Sequence, residues 1–414
     1  MNKRILNKIY LTFGFLFLYK ILTYVSVPGV DLNLIKSFFE DNSNNALGMY
    51  NMFNGNSIER MSIVSLGIMP YITASIFMEL LSAASQKIKD IKKEKNGMQK
   101  YTQWTKYLTI FITIFQSIGV SLVLSNLTDK SGNNAILINT DLFIIMSMLS
   151  LVVGTMILLW IGEQITQRGF GNGISLIIVS GIVSSIPNAI THTIQLVNNG
   201  TINFIFVLFS IIIIIATITF IVYVEFAERR IPVSYMKNNI KISSYLPIKV
   251  NPAGVIPAIF ASTFLMMPMT FFSQSNNKVL LAISDFLSPQ NYYFNIFMFI
   301  GIMLFAFFYS SLTFKSKEMS ENLKQQNGFL EGFRSGEETE KYLKNIGKRM
   351  TLLGALYLGL IATLPTIIIK SFDIPFYFGG ISVLIVVQVG ANTIKKFKSE
   401  LEISQYSKNI NTKF

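Results

Sequence analysis

SIERMSIVSLGIMPYITASIFMELLSAA, residues 57–84, is apolar enough to suggest one membrane helix, but Gly67 and Pro70 interrupt it. A helix from Pro70 to Ser85 has 16 residues. At 1.5 Å per residue it spans roughly 24 Å, short of a hydrocarbon core of about 30 Å. Non-helical backbone at membrane depth is tolerated only inside protein or beside a water-filled cavity. The stretch therefore predicts a short amphipathic helix, a break, and a second helix beside an internal cavity.

The composition is typical of a helical membrane protein. Of 414 residues, 51% are apolar and 14% are charged, and long apolar runs recur along the whole chain. Soluble domains carry about 25% charged residues, so an all-α polytopic membrane fold is predicted. The chain has no cysteine and a single histidine, His192. Disulfides and thiol chemistry are therefore excluded, histidine-based catalysis is disfavoured, and we expect no cofactor or metal site.

Ten apolar segments are predicted to cross the membrane. Basic residues concentrate in alternate connections, which places both termini in the cytoplasm by the positive-inside rule. Ten spans divide into five plus five, so we expect an N-terminal half of residues 1–191, a C-terminal half of residues 192–400, and a tail of residues 401–414. An inverted repeat is possible, although the two halves share no convincing sequence identity. The spans are 5–25, 70–85, 104–124, 142–162, 174–191, 201–224, 253–272, 293–314, 350–370 and 376–394.

Two cytoplasmic connections, residues 225–251 and 315–349, are unusually long and mix basic residues with apolar ones. Ordered loops of this length are usually functional, so we interpret both as docking surfaces. The alternative is that their charges only set the topology. Glutamate and lysine alternate at i,i+4 spacing from Glu337, which predicts a helical run at the end of the second loop.

The sequence contains no recognisable catalytic motif. The glycine-rich stretch of residues 168–175, RGFGNGIS, lacks the strand and the Lys-Ser/Thr ending of a phosphate loop and is interpreted as a tight turn. Glu79 is an acid within the second span, where a functional role and an interfacial position remain equally open. Other polar groups near the midplane are scarce, which disfavours a secondary transporter and predicts a cavity with apolar walls.

Five blocks resemble the SecY/Sec61-alpha family. They are residues 51–76, 154–183, 228–236, 246–262 and 375–387. The resemblance implies ten helices in two pseudo-symmetric five-helix halves around a central pore, with a short re-entrant plug helix. It also implies a protein-conducting channel that passes unfolded secretory proteins across the membrane and releases transmembrane segments laterally into lipid. A secondary transporter of small solutes is the alternative.

The resemblance assigns expected roles to particular residues. Each isoleucine of the ring could equally be ordinary helix packing, although a narrow apolar collar would dewet and block ions. The pore ring is Ile68, Ile72, Ile174, Ile178, Ile259 and Ile385. The plug is Ser57, Ile58, Glu59, Arg60, Met61, Ser62, Ile63, Val64, Ser65, Leu66 and Gly67. The lateral gate contains Ile76, Glu79, Thr263 and Met266, and the docking residues are Arg229, Arg230, Lys249 and Arg334.

The resemblance also implies partners and a location. The expected protein partners are SecE, SecG, SecA, the ribosome, the signal-recognition-particle receptor and YidC, besides signal peptides and membrane lipids. The chain would be a passive channel in the bacterial plasma (inner) membrane, driven by a partner ATPase, the ribosome or the proton-motive force. Two departures from the family pattern are Glu79, where relatives often carry a neutral amide, and Glu331 and Ser335, where they often carry proline.

Overall fold

The fold is described from a computed structural model of the chain. The structure describes residues 3–41, 51, 54–125, 127, 134–200, 203–237, 240–272, 278–288, 291–371 and 379–411. Most of these residues are helical.

The first half of the chain is a bundle of helices whose starts are set by local side chains. Pro70 lies in the first turn of the helix from Met69, where its missing N–H costs nothing. Asn139 and Asn172 cap later helices by accepting hydrogen bonds from Asp141 N and Ser175 N. The helices are α1 (Lys3–Leu22), α2 (Leu32–Asp41), α3 (Met69–Ala84), α4 (Gln86–Lys93), α5 (Gly97–Ser125), α6 (Thr140–Arg168) and α7 (Gly173–Asn198).

The second half contains further helices and a small sheet. Its helices are α8 (Phe204–Phe226), α9 (Ile256–Phe272), α10 (Lys278–Phe286), α11 (Tyr292–Thr313), α12 (Ser316–Gln325), α13 (Glu337–Ser371) and α14 (Gly380–Asn411). The run predicted from Glu337 is helical and continues directly into the ninth predicted span as α13.

Each predicted span falls mostly on a helix where the structure describes it, and residues 201–202 and 376–378 of the sixth and tenth predicted spans lie outside the described residues. Within the described residues, eight helices are long and apolar enough to cross a membrane. The second and seventh predicted spans correspond to shorter apolar helices, Met69–Ala84 and Ile256–Leu265. The chain is a multi-pass helical membrane protein.

The two long predicted loops form a three-stranded sheet that the sequence interpretation missed, so the structure adds a small sheet to the predicted all-α fold. Strands β1 (Glu228–Lys237) and β2 (Ile240–Lys249) form an antiparallel hairpin. Strand β3 (Gly328–Leu330) comes from the second loop and pairs with β1, so the order is β2-β1-β3. Val233 lies opposite Leu330 in this second pairing. The two predicted docking loops are thus one platform.

Three apolar clusters organise the molecule. The central cluster collects residues from helices of both halves. A second cluster, containing Ile35, Phe143 and Leu151, lies at the end of the bundle where α1 ends and α6 begins. The third lies beneath the sheet, where Ile231 and Val233 pack on side chains of α12 and α13.

Candidate functional site

The predicted plug, residues 57–67, consists of consecutive turns and contains no α-helix, so its expected helical form is wrong. Two residues have positive φ, Met61 at 40° and Gly67 at 58°. Serine hydroxyls also bond to nearby backbone, as Ser57 Oγ does to the Asn54 carbonyl at 2.7 Å and Ser65 Oγ does to the Ser62 carbonyl. Such local bonds offer the backbone an alternative to helical pairing.

The plug is attached to the extended segment that follows α1. Ser62 forms an isolated antiparallel bridge with Ser26. Two hydrogen bonds flank it, from Val27 N to the Met61 carbonyl at 2.8 Å and from Ile63 N to the Val25 carbonyl at 2.9 Å. Helix α6 approaches from the other side at Gly154, where an added Cβ would overlap the Ile63 carbonyl. The plug backbone is therefore enclosed on both sides.

The plug joins two cores. Val64 is buried in the central cluster, and Ile63 packs against both the central and the second cluster. Ile58, Met61 and Leu66 are buried in the second cluster. Glu59 and Arg60 are only partly buried, and the Arg60 guanidinium lies 4.2 Å from the centre of the Tyr24 ring.

Two asparagines that the sequence interpretation did not single out are hydrogen-bonded to the predicted plug. Asn51 accepts hydrogen bonds at Oδ1 from the backbone N–H groups of Ile58 at 3.0 Å and Glu59 at 3.3 Å. Asn54 donates from Nδ2 to the Ser65 carbonyl at 2.9 Å. The Asn-Gly-Asn run at residues 54–56 is a turn signal that could have pointed to this region.

The structure brings all six ring isoleucines into the central cluster. Ile68, Ile72, Ile178 and Ile385 are buried, and Ile174 and Ile259 are partly buried and pack against them. They come from the start of α3, from α7, from α9 and from α14, so both predicted halves contribute. Together with Val64 of the plug they form a continuous apolar contact across the bundle.

The predicted lateral gate falls on two helices that contact each other, α3 and α9. Ile76 of α3 and Thr263 of α9 are both buried. The side chain of Met266 lies outside the described residues. Glu79 Oε2 is buried and has no hydrogen-bond partner among the described residues, and Lys92 is a cation close enough to act on this carboxyl group. The arrangement leaves a buried carboxyl group on α3, one of the two helices of the predicted gate.

The four predicted docking residues are exposed and lie on or beside the sheet. Arg230 Nε donates to Glu228 Oε1 at 3.2 Å, and its guanidinium lies 4.8 Å from the centre of the Tyr245 ring. Arg334 is fixed through its backbone, because its N–H donates to Glu338 Oε2 at 3.0 Å and its carbonyl accepts from Thr339 Oγ1 at 2.9 Å. The Arg334 side chain is exposed.

Comparison with known proteins identifies the group to which this chain belongs. The SecY family model matches residues 62–394. The chain belongs to the SecY family. It is 54% identical over 413 residues to the protein translocase subunit SecY of Helicobacter pylori, covering 98% of each chain. Its membership rests on this full-length identity and on the match to the family model.

Two solved structures of this family share the fold. One is a SecY protein whose plug domain stabilises the closed state of the translocation channel and maintains a membrane seal. It has a TM-score of 0.66 at 19% identity and covers 96% of this chain and 92% of that one. The other is Sec61 in the canine ribosome-channel complex from the endoplasmic reticulum, with a TM-score of 0.64 at 18% identity and the same coverage.

Proposed function

We propose that this chain is the channel-forming subunit of a protein translocase, passing unfolded secretory proteins across the membrane and releasing transmembrane segments into lipid. The observation that carries the proposal is the meeting of six isoleucines from both halves with the plug in one buried cluster. Family membership supports this function and favours it over the small-solute transporter.

The proposed mechanism at rest is an apolar seal. Branched side chains in a narrow collar exclude water, so ions meet a barrier although no charged group repels them. The plug adds a second barrier, because Val64 packs on the collar while Met61 and Leu66 fill the core beyond it. For an extended polypeptide to pass, the plug must leave, and the collar then closes around the moving chain.

Lateral release is proposed to occur where α3 contacts α9. Ile76 of α3 and Thr263 of α9 are both buried, and separating the two helices would open a path from the collar to lipid. Glu79, also on α3, has a buried carboxyl oxygen. Residues 1–191 and 192–400 are proposed to be the two bodies that separate, with residues 401–414 as a cytoplasmic tail.

The sheet is proposed to be the docking platform for the proteins that supply energy. Exposed basic residues suit acidic protein surfaces and the phosphates of ribosomal RNA, so SecA and the ribosome are the proposed partners. SecE, SecG, the signal-recognition-particle receptor and YidC complete the proposed assembly in the bacterial plasma membrane, with both termini cytoplasmic. The chain itself is proposed to be a passive channel without a catalytic site.

The proposal is tested by deleting residues 58–65 and reconstituting the chain with its partner subunits in vesicles. Ion conductance at rest should rise, while a secretory precursor should still be transported when ATP and the motor are supplied. Ile385→Asn should also raise conductance, whereas Ile212→Asn, at a residue of α8 that is 56% exposed, provides the matched control. A chain that neither leaks after the deletion nor carries a precursor is no channel, and an insertase or scaffold without a pore would be the better description.

A further inference from the structure

The plug is preceded by two buried asparagines, Asn51 and Asn54, at 5% and 4% exposure. We propose that Asn54 is the latch that holds the plug closed and that Asn51 is a second attachment. Both are positioning residues, since they act on the pore through the plug. This inference rests on the proposed channel function and specifies which contacts must break when the channel opens.

Asn54 is fixed to the wall of the bundle. Its carbonyl accepts from the Tyr19 hydroxyl of α1 at 3.4 Å. The next residue, Gly55, lies so close to α7 that an added Cβ would be 2.9 Å from Ser184 Oγ and 3.2 Å from Gly181 Cα. The turn that carries Asn54 therefore stays with α1 and α7 when other segments move.

The side chain of Asn54 reaches across to the far end of the plug. Its Nδ2 donates to the Ser65 carbonyl at 2.9 Å, a bond between buried groups. Gly67 faces the same amide, and an added Cβ there would overlap Asn54 Oδ1. If the donor is lost, the Ser65 carbonyl remains buried without it, and leaving a buried polar group unsatisfied favours any state in which water reaches that group.

Asn51 grips the other end of the plug with different chemistry. Its Oδ1 accepts from the N–H groups of Ile58 and Glu59, and its Nδ2 donates to Glu59 Oε2 at 3.2 Å. Asn51 therefore serves mainly as an acceptor, whereas Asn54 serves as a donor. An ionised aspartate has nearly the same shape as asparagine but can only accept hydrogen bonds. Replacing each asparagine by aspartate therefore distinguishes the donor role of Asn54 from the acceptor role of Asn51.

Asn54→Asp should break the latch, because a carboxylate oxygen would face the Ser65 carbonyl in place of the N–H. Asn51→Asp should have a smaller effect, because it keeps both bonds from backbone N–H groups and places its charge opposite Glu59 only. Asn56→Asp is the matched control on the same turn, since its side chain makes no hydrogen bond to another described residue. Asn54→Ala removes the donor without adding charge and serves as the second variant.

The experiment uses the full chain in its complex, in vesicles, with a single cysteine introduced at Ser62, which is 0% exposed. The natural chain has no cysteine, so a membrane-impermeant maleimide reports only that site when labelling is measured on this chain alone. Asn54→Asp and Asn54→Ala should raise both the labelling rate and the resting conductance roughly fivefold, the effect of about one hydrogen bond. Asn56→Asp should change neither, and the melting temperature of the complex is followed in parallel.

Three results overturn the inference, and they are distinguishable. If deletion of residues 58–65 raises the conductance while both Asn54 variants label and conduct like the natural chain, the latch is wrong and the channel function stands. If the deletion itself leaves conductance unchanged, the plug does not seal the pore and the latch fails together with the proposed function. Labelling that rises only in step with global unfolding also rejects the latch, because a positioning role predicts release from a folded complex.

Discussion

The plug and the three-stranded sheet are both built from non-helical backbone, but they are held in opposite ways. The plug has two backbone hydrogen bonds to the segment after α1, and its other attachments are side chains such as Asn51 and Asn54. The hairpin pairs ten residues of each strand, from Glu228 opposite Lys249 to Lys237 opposite Ile240, and a third strand extends it.

The difference in attachment matches the difference in proposed task. A segment held by a few bonds, each worth about 1 kcal/mol net, can be released by a partner of moderate affinity. A platform that must transmit force needs to keep its shape, and the sheet has its own apolar core for this purpose. The comparison predicts that damage to the sheet lowers motor-driven translocation and that damage to the plug raises the resting ion conductance.

Val233→Asp should have the largest effect. Val233 is 1% exposed and packs in the core beneath the sheet, so its replacement buries a charge without a partner and should cost about 3 kcal/mol or more. Residues 228–249 should become sensitive to protease, and motor-driven translocation should be lost. Resting ion conductance is the internal control and should stay unchanged. If the Val233→Asp channel leaks as much as the channel without residues 58–65, the sheet and the plug do not have separate functions.

Arg334→Glu should leave the sheet folded and remove its docking charge. Motor-driven translocation should fall at least tenfold, while protease resistance of the hairpin stays unchanged, because the Arg334 backbone bonds to Glu338 and Thr339 remain possible. Lys348→Glu, a charge reversal at an exposed residue of α13, is the control. Normal translocation by the Arg334 variant would reject the docking role of this residue.

Gly67→Ala should loosen the plug without unfolding the complex. The φ of 58° is strained for alanine by about 1 kcal/mol, and the added methyl would displace the Asn54 side chain. Conductance should rise several-fold, measured beside Gly200→Ala, a residue that also has positive φ but whose added Cβ meets open space. If the Gly67→Ala channel conducts no more ions at rest than the natural channel, the prediction is wrong and the plug tolerates a displaced Asn54 side chain.

Tyr245→Ala should have the smallest effect. The exposed Arg230–Tyr245 contact is worth about 0.5–1 kcal/mol, so affinity for the docking partner should fall by less than fivefold. Binding of the motor to the reconstituted complex measures this directly. A loss as large as that of Arg334→Glu would mean that Tyr245 itself contacts the partner.

The membrane helices could be predicted from sequence because length and hydropathy decide them almost alone. The sheet could not, because Pro232 and Pro247 argue against strands, and its third strand joins Val233 to a residue far along the chain. The plug was expected to be helical because the interrupted stretch was interpreted as a short amphipathic helix and because the family resemblance implies a plug helix. Serine hydroxyls and the positive φ of Met61 overrule that expectation, and neither is visible in hydropathy.

The ring was accessible only through family resemblance. Each isoleucine alone fits ordinary packing, and the tertiary fold is what brings Ile68, Ile259 and Ile385 into one cluster. Asn51 and Asn54 were missed because their partners are backbone groups of the plug, whose positions depend on the turns themselves. A single sequence contains no pattern that reports such contacts.

The central claim is that the plug must leave its place for a protein to pass. Ser26 and Ser62 are directly opposite each other in an antiparallel bridge, and the hydrogen bonds are made by the residues that flank them. In such a non-hydrogen-bonded pair the Cα atoms are about 4.5 Å apart, a separation that a disulfide can span. The measurement is precursor translocation by the Ser26→Cys, Ser62→Cys double variant, oxidised and then reduced, with each single variant as control. The account predicts transport close to background when oxidised and recovery on reduction. Undiminished transport by the fully oxidised channel would contradict it.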